Sequence, residues 1–223
     1  MFSYVFMKIL EGRPRSYDRR MDEFSRGRVR AMKQAVASEI PLGTHVLEVG
    51  CGTGELAALI CARGATVEAL DRSPSMLAVA ERRIEEEELD GRLVLHEMGV
   101  EGMDRFEEKS YGAVVSTLVL SELTDDERRF ALKHAFRVLE PGGLLVIADE
   151  VLPRARAGRL LHAFSRAPVL AATYLVSGAS TRPIPDLQGE VLGAGFTIEK
   201  EQRSHRDAFS VLVARRPVQE ETV

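Results

Sequence analysis

Tryptophan is absent from this 223-residue sequence, cysteine occurs twice, and aromatic residues make up only 6% of it. Two thiols, Cys51 and Cys61, supply neither the disulfide framework of a small secreted domain nor a metal quartet. Both read as small core residues, since nothing beside Cys51 would activate it as a nucleophile. The scarcity of aromatics argues against a stacking-based nucleic-acid reader. Charge of one sign is not in excess either: 30 Lys+Arg against 34 Asp+Glu leave a net charge of -4, without the footprint of a nucleic-acid partner. Nowhere do about 18 apolar residues run uninterrupted, as a membrane span requires. The apolar opening Met1–Leu10 lacks the basic n-region and small-residue cleavage site of a signal peptide, and Glu11-Gly12-Arg13-Pro14-Arg15 follows directly. It reads as a short amphipathic helix or lid, and the protein as cytoplasmic, with no metal.

What is present is an apolar fraction of 45%, enough at this length for one well-buried α/β domain. Strand and helix patterns alternate along it. A helical period over Met21–Ser38 precedes a strand at Val46–Val49, a helix over Glu55–Arg63 and a strand at Thr66–Leu70. Pro74 suits a first helical turn, and Met76, Leu77, Ala80 and Ile84 mark one face of the helix it opens, with Glu85–Glu88 on the solvated side. Further strands read at Leu93–Leu95, Ala113–Ser116 and Leu144–Ala148. Thr124 and Glu127 form a capping box, and the helix they open is expected to reach Leu139, where Pro141-Gly142-Gly143 stops it. Such alternation implies a parallel sheet covered on both faces. At the end, Phe196–Glu201 and Phe209–Ala214 are two strands close enough to pair as an antiparallel hairpin.

The densest information lies in Val46-Leu47-Glu48-Val49-Gly50-Cys51-Gly52-Thr53-Gly54, a strand running into three glycines at alternate positions before a helix opens at Glu55. Glycines there let a backbone approach a ligand closely, and the following helix aims unpaired N–H groups at it. The dinucleotide fingerprint G-x-G-x-x-G wants a glycine where Glu55 stands, and no Gly-Lys-Ser/Thr phosphate loop is present.

This stretch resembles motif I of the class I S-adenosylmethionine-dependent methyltransferases. Val67-Glu68-Ala69-Leu70-Asp71, Tyr111–Leu118 and Arg137-Val138-Leu139-Glu140-Pro141-Gly142-Gly143-Leu144-Leu145-Val146-Ile147 are similar to the family's second strand, fourth strand, and helix, turn and fifth strand. The likeness covers roughly residues 21–216 and is greatest to the ubiquinone/menaquinone-biosynthesis branch. It implies a Rossmann-like, doubly wound, seven-stranded and mostly parallel sheet with an antiparallel C-terminal strand. One domain would comprise an N-terminal helical lid region (1–40), a cofactor-binding core (41–150), an acceptor-side cover (151–190) and a C-terminal hairpin (191–216). A narrower likeness of Phe2–Tyr17 and Thr173–Pro183 to corrinoid-protein-associated methyltransferases implies a corrinoid protein as partner.

By the same resemblance S-adenosylmethionine is the cofactor and S-adenosylhomocysteine the product. Gly50, Cys51, Gly52 and Gly54 would form the turn against its methionine part, with Glu48 helping to hold the ammonium end. Asp71 would accept from both ribose hydroxyls, since an ionised carboxylate has two acceptor oxygens. Arg72 and Met76 would flank ribose and adenine, and Ser116 would face the methionine side. Where the family often places an acid for the adenine amino group, this chain has Met98; Glu97, or backbone groups of Met98 and Gly99, are the candidates.

Methyl transfer from a sulfonium needs alignment and water exclusion, with a general base only if the acceptor must lose a proton. Open α/β sheets bind ligands at the C-terminal ends of their strands, which makes Asp149, Glu150, Glu122 and His96 the candidates for acceptor chemistry. A strand-end carboxylate is as often a cap or a loop ion pair. His162, Tyr174 and Arg182 fall in the segment that commonly covers the acceptor in this family. That segment's arginines, Arg154, Arg156, Arg159 and Arg166, accompany apolar residues and suit a packing helix or an entrance for an amphiphilic or anionic acceptor. Two rival readings share the cofactor turn: an NAD(P)-dependent oxidoreductase, and a non-catalytic S-adenosylmethionine-binding partner or sensor.

Overall fold

The computed structural model describes residues 14–154, 183–204 and 207–218. Seven strands form one sheet: β1 (His45–Val49), β2 (Thr66–Asp71), β3 (Leu93–Glu97), β4 (Tyr111–Thr117), β5 (Leu139–Glu150), β6 (Thr197–Ser204) and β7 (Phe209–Arg215). Their order is β3-β2-β1-β4-β5-β7-β6. The pairs among β1 to β5 are parallel, and β7 lies antiparallel between β5 and β6. The expected doubly wound sheet with an antiparallel C-terminal insertion is therefore present.

Alternation along each central strand sends side chains to two separate cores, because such strands are buried on both faces. Val46, Val67, Ala113, Val115, Val146 and Ala148 pack beneath α1 (Tyr17–Ser25), α2 (Arg28–Glu39), α3 (Glu55–Cys61) and α4 (Pro74–Glu86). Leu47, Leu70, Val114, Leu145 and Ile147 pack with the 3-10 turn Val100–Arg105, α5 (Asp125–Val138) and α6 (Leu187–Gly193) on the opposite face. Among the described residues no helix is long and apolar enough to cross a membrane.

Two boundaries differ from the sequence expectation, each for a visible reason. The single helix expected over Met21–Ser38 is two helices. Arg26 and Gly27 both adopt left-handed backbone (φ 54° and 78°) and return their N–H groups to Glu23 and Asp22 carbonyls, which ends α1 and turns the chain into α2. Likewise Pro141-Gly142-Gly143 does not separate helix from strand. α5 stops at Val138 and β5 begins at once, with Leu139 paired to Tyr111 and a register shift before Ala113. The carbonyls at this helix end are taken by Arg216, whose Nη1 donates to Phe136, Arg137 and Leu139 O at 2.8, 3.1 and 2.5 Å. The Thr124–Glu127 capping box is present as read: Glu127 N–H donates to Thr124 Oγ1 (3.3 Å) and Thr124 N–H to Glu127 Oε2 (2.7 Å).

Candidate functional site

A cleft opens where β1, β2 and β4 end, the position at which open α/β sheets hold ligands. Its floor is the glycine turn. Gly50, Gly52 and Gly54 all have left-handed backbone, with φ of 77°, 55° and 73°, so each needs glycine's freedom. What lies beside each differs. A Cβ at Gly50 would stand 2.2 Å from Val119 Cγ2, and one at Gly54 would stand 3.1 Å from Ala80 Cβ, so these two allow close packing within the protein. A Cβ at Gly52 would meet nothing within 4 Å, and Gly52 lines the cleft: here the space is left to a ligand.

The turn is bound to the end of β2 rather than free. Leu70 O accepts from Gly50 N–H and Cys51 N–H at 2.8 and 3.0 Å. Asp71 Oδ2 accepts from Gly52 N–H at 2.7 Å, while its Oδ1 accepts from Ser73 N–H at 2.8 Å. Each carboxylate oxygen keeps a further lone pair, so Asp71 can hold the turn and still accept from a diol in the cleft.

Alternation along β1 puts Glu48 on the same face as Val46, under α2 and α3, where it is 1% exposed. Burial raises its carboxyl to about 8, against the opposing pull of the Lys33 ammonium and the Ala57 N–H. Its Oε2 has no hydrogen-bond partner among the described residues. Lys33 lines the cleft from α2 and pairs with Glu55 at 2.7 Å. Burial would raise the Glu55 carboxyl, but Lys33 outweighs it and holds it below the ordinary value. The result is a buried carboxyl with one unpartnered oxygen, beside a lysine already paired to an anion.

Of the residues expected to hold the cofactor, Gly50, Cys51, Gly52, Asp71, Arg72, Met76, Met98 and Gly99 line the cleft together. Gly54 and Glu48 support it from behind. Ser116 does not face it: its side chain is buried and donates to Val49 O at 3.2 Å, and the neighbouring Thr117 lines the cleft instead. The Cys51 thiol is buried, and burial pushes its ionisation well above the ordinary value, as suits a packing residue.

The acceptor candidates separate clearly. Glu122 lines the cleft, with Arg72 Nη2 at 4.0 Å from its Oε2. Asp149 is wholly enclosed and accepts from the Ser121 and Glu150 N–H groups at 3.2 and 2.7 Å, so it secures the chain after β4. Burial raises its carboxyl against those hydrogen bonds. Glu150 is buried beside it in β5. His96 sits away from the cleft, its Nε2 2.8 Å from Glu68 Oε2 and its ring edge-on to Phe106. His162, Tyr174 and Arg182 lie outside the described residues, as does most of the expected acceptor-side cover.

Several lining residues carried no local signal in the sequence. Tyr17, Met21, Val29 and Lys33 come from α1 and α2, and Glu101, Leu118, Val119 and Leu123 from the connections after β3 and β4, while Glu127 of the capping box reaches the cleft from the first turn of α5. Leu118 has φ 60°, a left-handed conformation that costs a branched residue about 1–2 kcal/mol, and it is held there by its N–H bond to Ala148 O at 2.9 Å. Asp71, Glu101, Glu122 and Glu127 against Arg72 and Lys33 give the cleft an acidic balance suited to a cationic ligand. Among the described residues no group of three His, Cys, Asp or Glu could hold a metal ion.

Comparison with known proteins agrees with this geometry. Residues 46–143 match the family described as "Methyltransferase domain". Demethylmenaquinone methyltransferase of Thermus thermophilus is 31% identical over 172 residues, 70% of this chain and 76% of that protein. The same enzyme of Clavibacter sepedonicus is 30% identical over 185 residues, 77% and 71% of the two chains. An uncharacterized methyltransferase of Bacillus subtilis, YrrT, is 36% identical over 118 residues, and there the chain spans about half of its relative, 51%. Among solved structures, an O-methyltransferase family protein from Burkholderia thailandensis shares the fold with a TM-score of 0.70 at 23% identity, covering 95% of this chain and 64% of the other.

Proposed function

Because this chain belongs to the S-adenosylmethionine-dependent methyltransferases, we propose that it transfers a methyl group from S-adenosylmethionine to a small-molecule acceptor. The observation that carries the reading is the open position at Gly52, tied by its N–H to Asp71 at 2.7 Å: backbone and carboxylate face the same ligand. Bound in this cleft, S-adenosylmethionine supplies a methyl group already activated on a sulfonium. Gly52 and its neighbours leave room for the methionine part, Glu48 beneath the turn supplies the carboxyl that favours its ammonium end, and Asp71 accepts from the ribose hydroxyls. Met76, Met98 and Gly99 supply the surface for adenine.

With the electrophile activated beforehand, the chain's own task is alignment and exclusion of water. Tyr17, Met21, Val29, Leu118 and Leu123 give the remaining walls an apolar character that favours an acceptor with an apolar body. Glu122 is the carboxylate placed to take a proton from an acceptor that must lose one. By name the relatives from Thermus thermophilus and Clavibacter sepedonicus methylate demethylmenaquinone, which supports a small-molecule acceptor here. A corrinoid-protein partner rests on the resemblance of the 2–17 and 173–183 stretches alone, and none of the relatives reported above carries that name.

Incubating the protein with methyl-labelled S-adenosylmethionine and a panel of quinols, phenols and amines tests the proposal. Label should pass to an acceptor with an apolar body, and a Glu122→Gln variant should lose turnover on acidic hydroxyl acceptors while still binding S-adenosylhomocysteine. Cofactor binding without transfer to any acceptor would favour the sensor reading instead.

A further inference from the structure

Helix α1 does more than pack on the domain, for its first turn reaches the glycine turn directly. Asp18 Oδ1 accepts from Thr53 Oγ1 at 2.6 Å, and Asp18 Oδ2 accepts from Arg83 Nη2 at 2.6 Å. Arg83, from α4, also donates through Nε to Thr53 O at 3.1 Å. Thr53 is 1% exposed and stands between Gly52, which is open to the cleft, and Gly54, which opens α3. Two helices far apart in sequence, α1 and α4, therefore meet on a single residue of the turn and hold both its side chain and its carbonyl.

The flanks of α1 give this clasp its consequence. Tyr17 and Met21, on either side of Asp18 in the helix, line the cleft, with Val29 and Lys33 behind them on α2. We propose that Asp18 is a positioning residue for the cofactor site: through Thr53 and Arg83 it locks the wall formed by α1 to the glycine turn, so that the wall and floor of the cleft keep one geometry around the ligand. The inference rests on the reading of the cleft as an S-adenosylmethionine site. Asp18 need not touch the ligand. A carboxylate that accepts one hydroxyl and one guanidinium bond fixes the turn's peptide planes, and charge-assisted bonds of this kind are the strong ones. Without the clasp the turn keeps its bonds to Leu70 O and Asp71, but loses its connection to α1.

The test uses S-adenosylhomocysteine and stopped-flow dissociation on the full chain. Asp18→Asn keeps an acceptor for the Thr53 hydroxyl but puts an amide N–H2 where Arg83 Nη2 needs an acceptor, and Thr53→Val removes the hydroxyl with a near-isosteric side chain; Thr53→Ser keeps the hydroxyl. Glu39→Gln, which breaks the α2 pair with Lys200 at 2.5 Å far from the turn, serves as control. Expected is faster dissociation by about tenfold or more in Asp18→Asn and Thr53→Val, the equivalent of one charge-assisted hydrogen bond, with rescue in Thr53→Ser and no change in the control. A purely structural role would lower the ligand-free melting temperature and leave the dissociation rate unchanged in Thr53→Val, which overturns the proposal. Failure of the wild type itself to bind S-adenosylhomocysteine overturns the reading of the cleft, and the clasp with it; tight wild-type binding with unchanged rates in both variants overturns the clasp alone.

Discussion

Replacing Glu48 by Gln should change how stability depends on pH, in a direction set by burial. In the folded protein the Glu48 carboxyl is raised from 4.5 to about 8, burial being the largest cause. Between those values the folded state keeps a proton that the unfolded state has released, so this group's contribution falls as pH rises through the window. The slope is one proton per molecule, on the order of 1 kcal/mol for each pH unit. From pH 5 to pH 8 the wild type should therefore lose roughly 3 kcal/mol relative to Glu48→Gln, which carries no proton to exchange. No discount for solvent screening applies, because the side chain is 1% exposed. Urea unfolding followed by circular dichroism at pH 5, 6, 7 and 8 measures both curves, and their difference cancels other titrating groups, including the raised Asp149. Parallel curves would mean that Glu48 is ionised in the ligand-free fold, and the argument from its orphaned Oε2 would fail.

Ligand binding should draw on the same proton: S-adenosylhomocysteine should release protons from the wild type at pH 7 and fewer from Glu48→Gln, read by calorimetry in two buffers of different ionisation enthalpy. Gly52→Val should abolish cofactor binding yet leave a folded domain, weakened by about 1–2 kcal/mol from forcing a branched residue to φ 55°; an unfolded variant would make the glycine structural first. Asp71→Ala should weaken binding by roughly 2–3 kcal/mol, against no change for the exposed Asp90→Ala. It should lower the melting temperature too, since the Gly52 and Ser73 N–H groups lose their acceptor. Arg216→Met should destabilise without altering cofactor affinity, because Arg216 serves the α5 carbonyls and not the cleft.

Local chemistry made much of this molecule legible from sequence. The Thr124–Glu127 box, the strand-turn-helix around Gly50–Gly54 and the acid ending β2 each depend on residues within a few positions of one another, and each stands where it was read. Tertiary docking was not legible. Tyr17, Met21 and Lys33 reach the cleft only because α1 folds back on the turn, and a helical period gives the spacing of a face but not its partner. Ser116 departs from its expected place because a strand-end position does not reveal which side of the sheet its hydroxyl serves; here it is spent on Val49 O. At Pro141-Gly142-Gly143 a breaker motif became part of a strand, since Arg216 supplied from the far end of the chain the cap that the turn was expected to provide.

Calorimetric titration of the wild-type chain with S-adenosylmethionine, S-adenosylhomocysteine and NADH tests the central claim most directly. The G-x-G-x-G turn, with Glu55 where a dinucleotide site needs glycine, predicts saturable binding of the first two and none of the third. Tight NADH binding with no response to either S-adenosyl compound would contradict it.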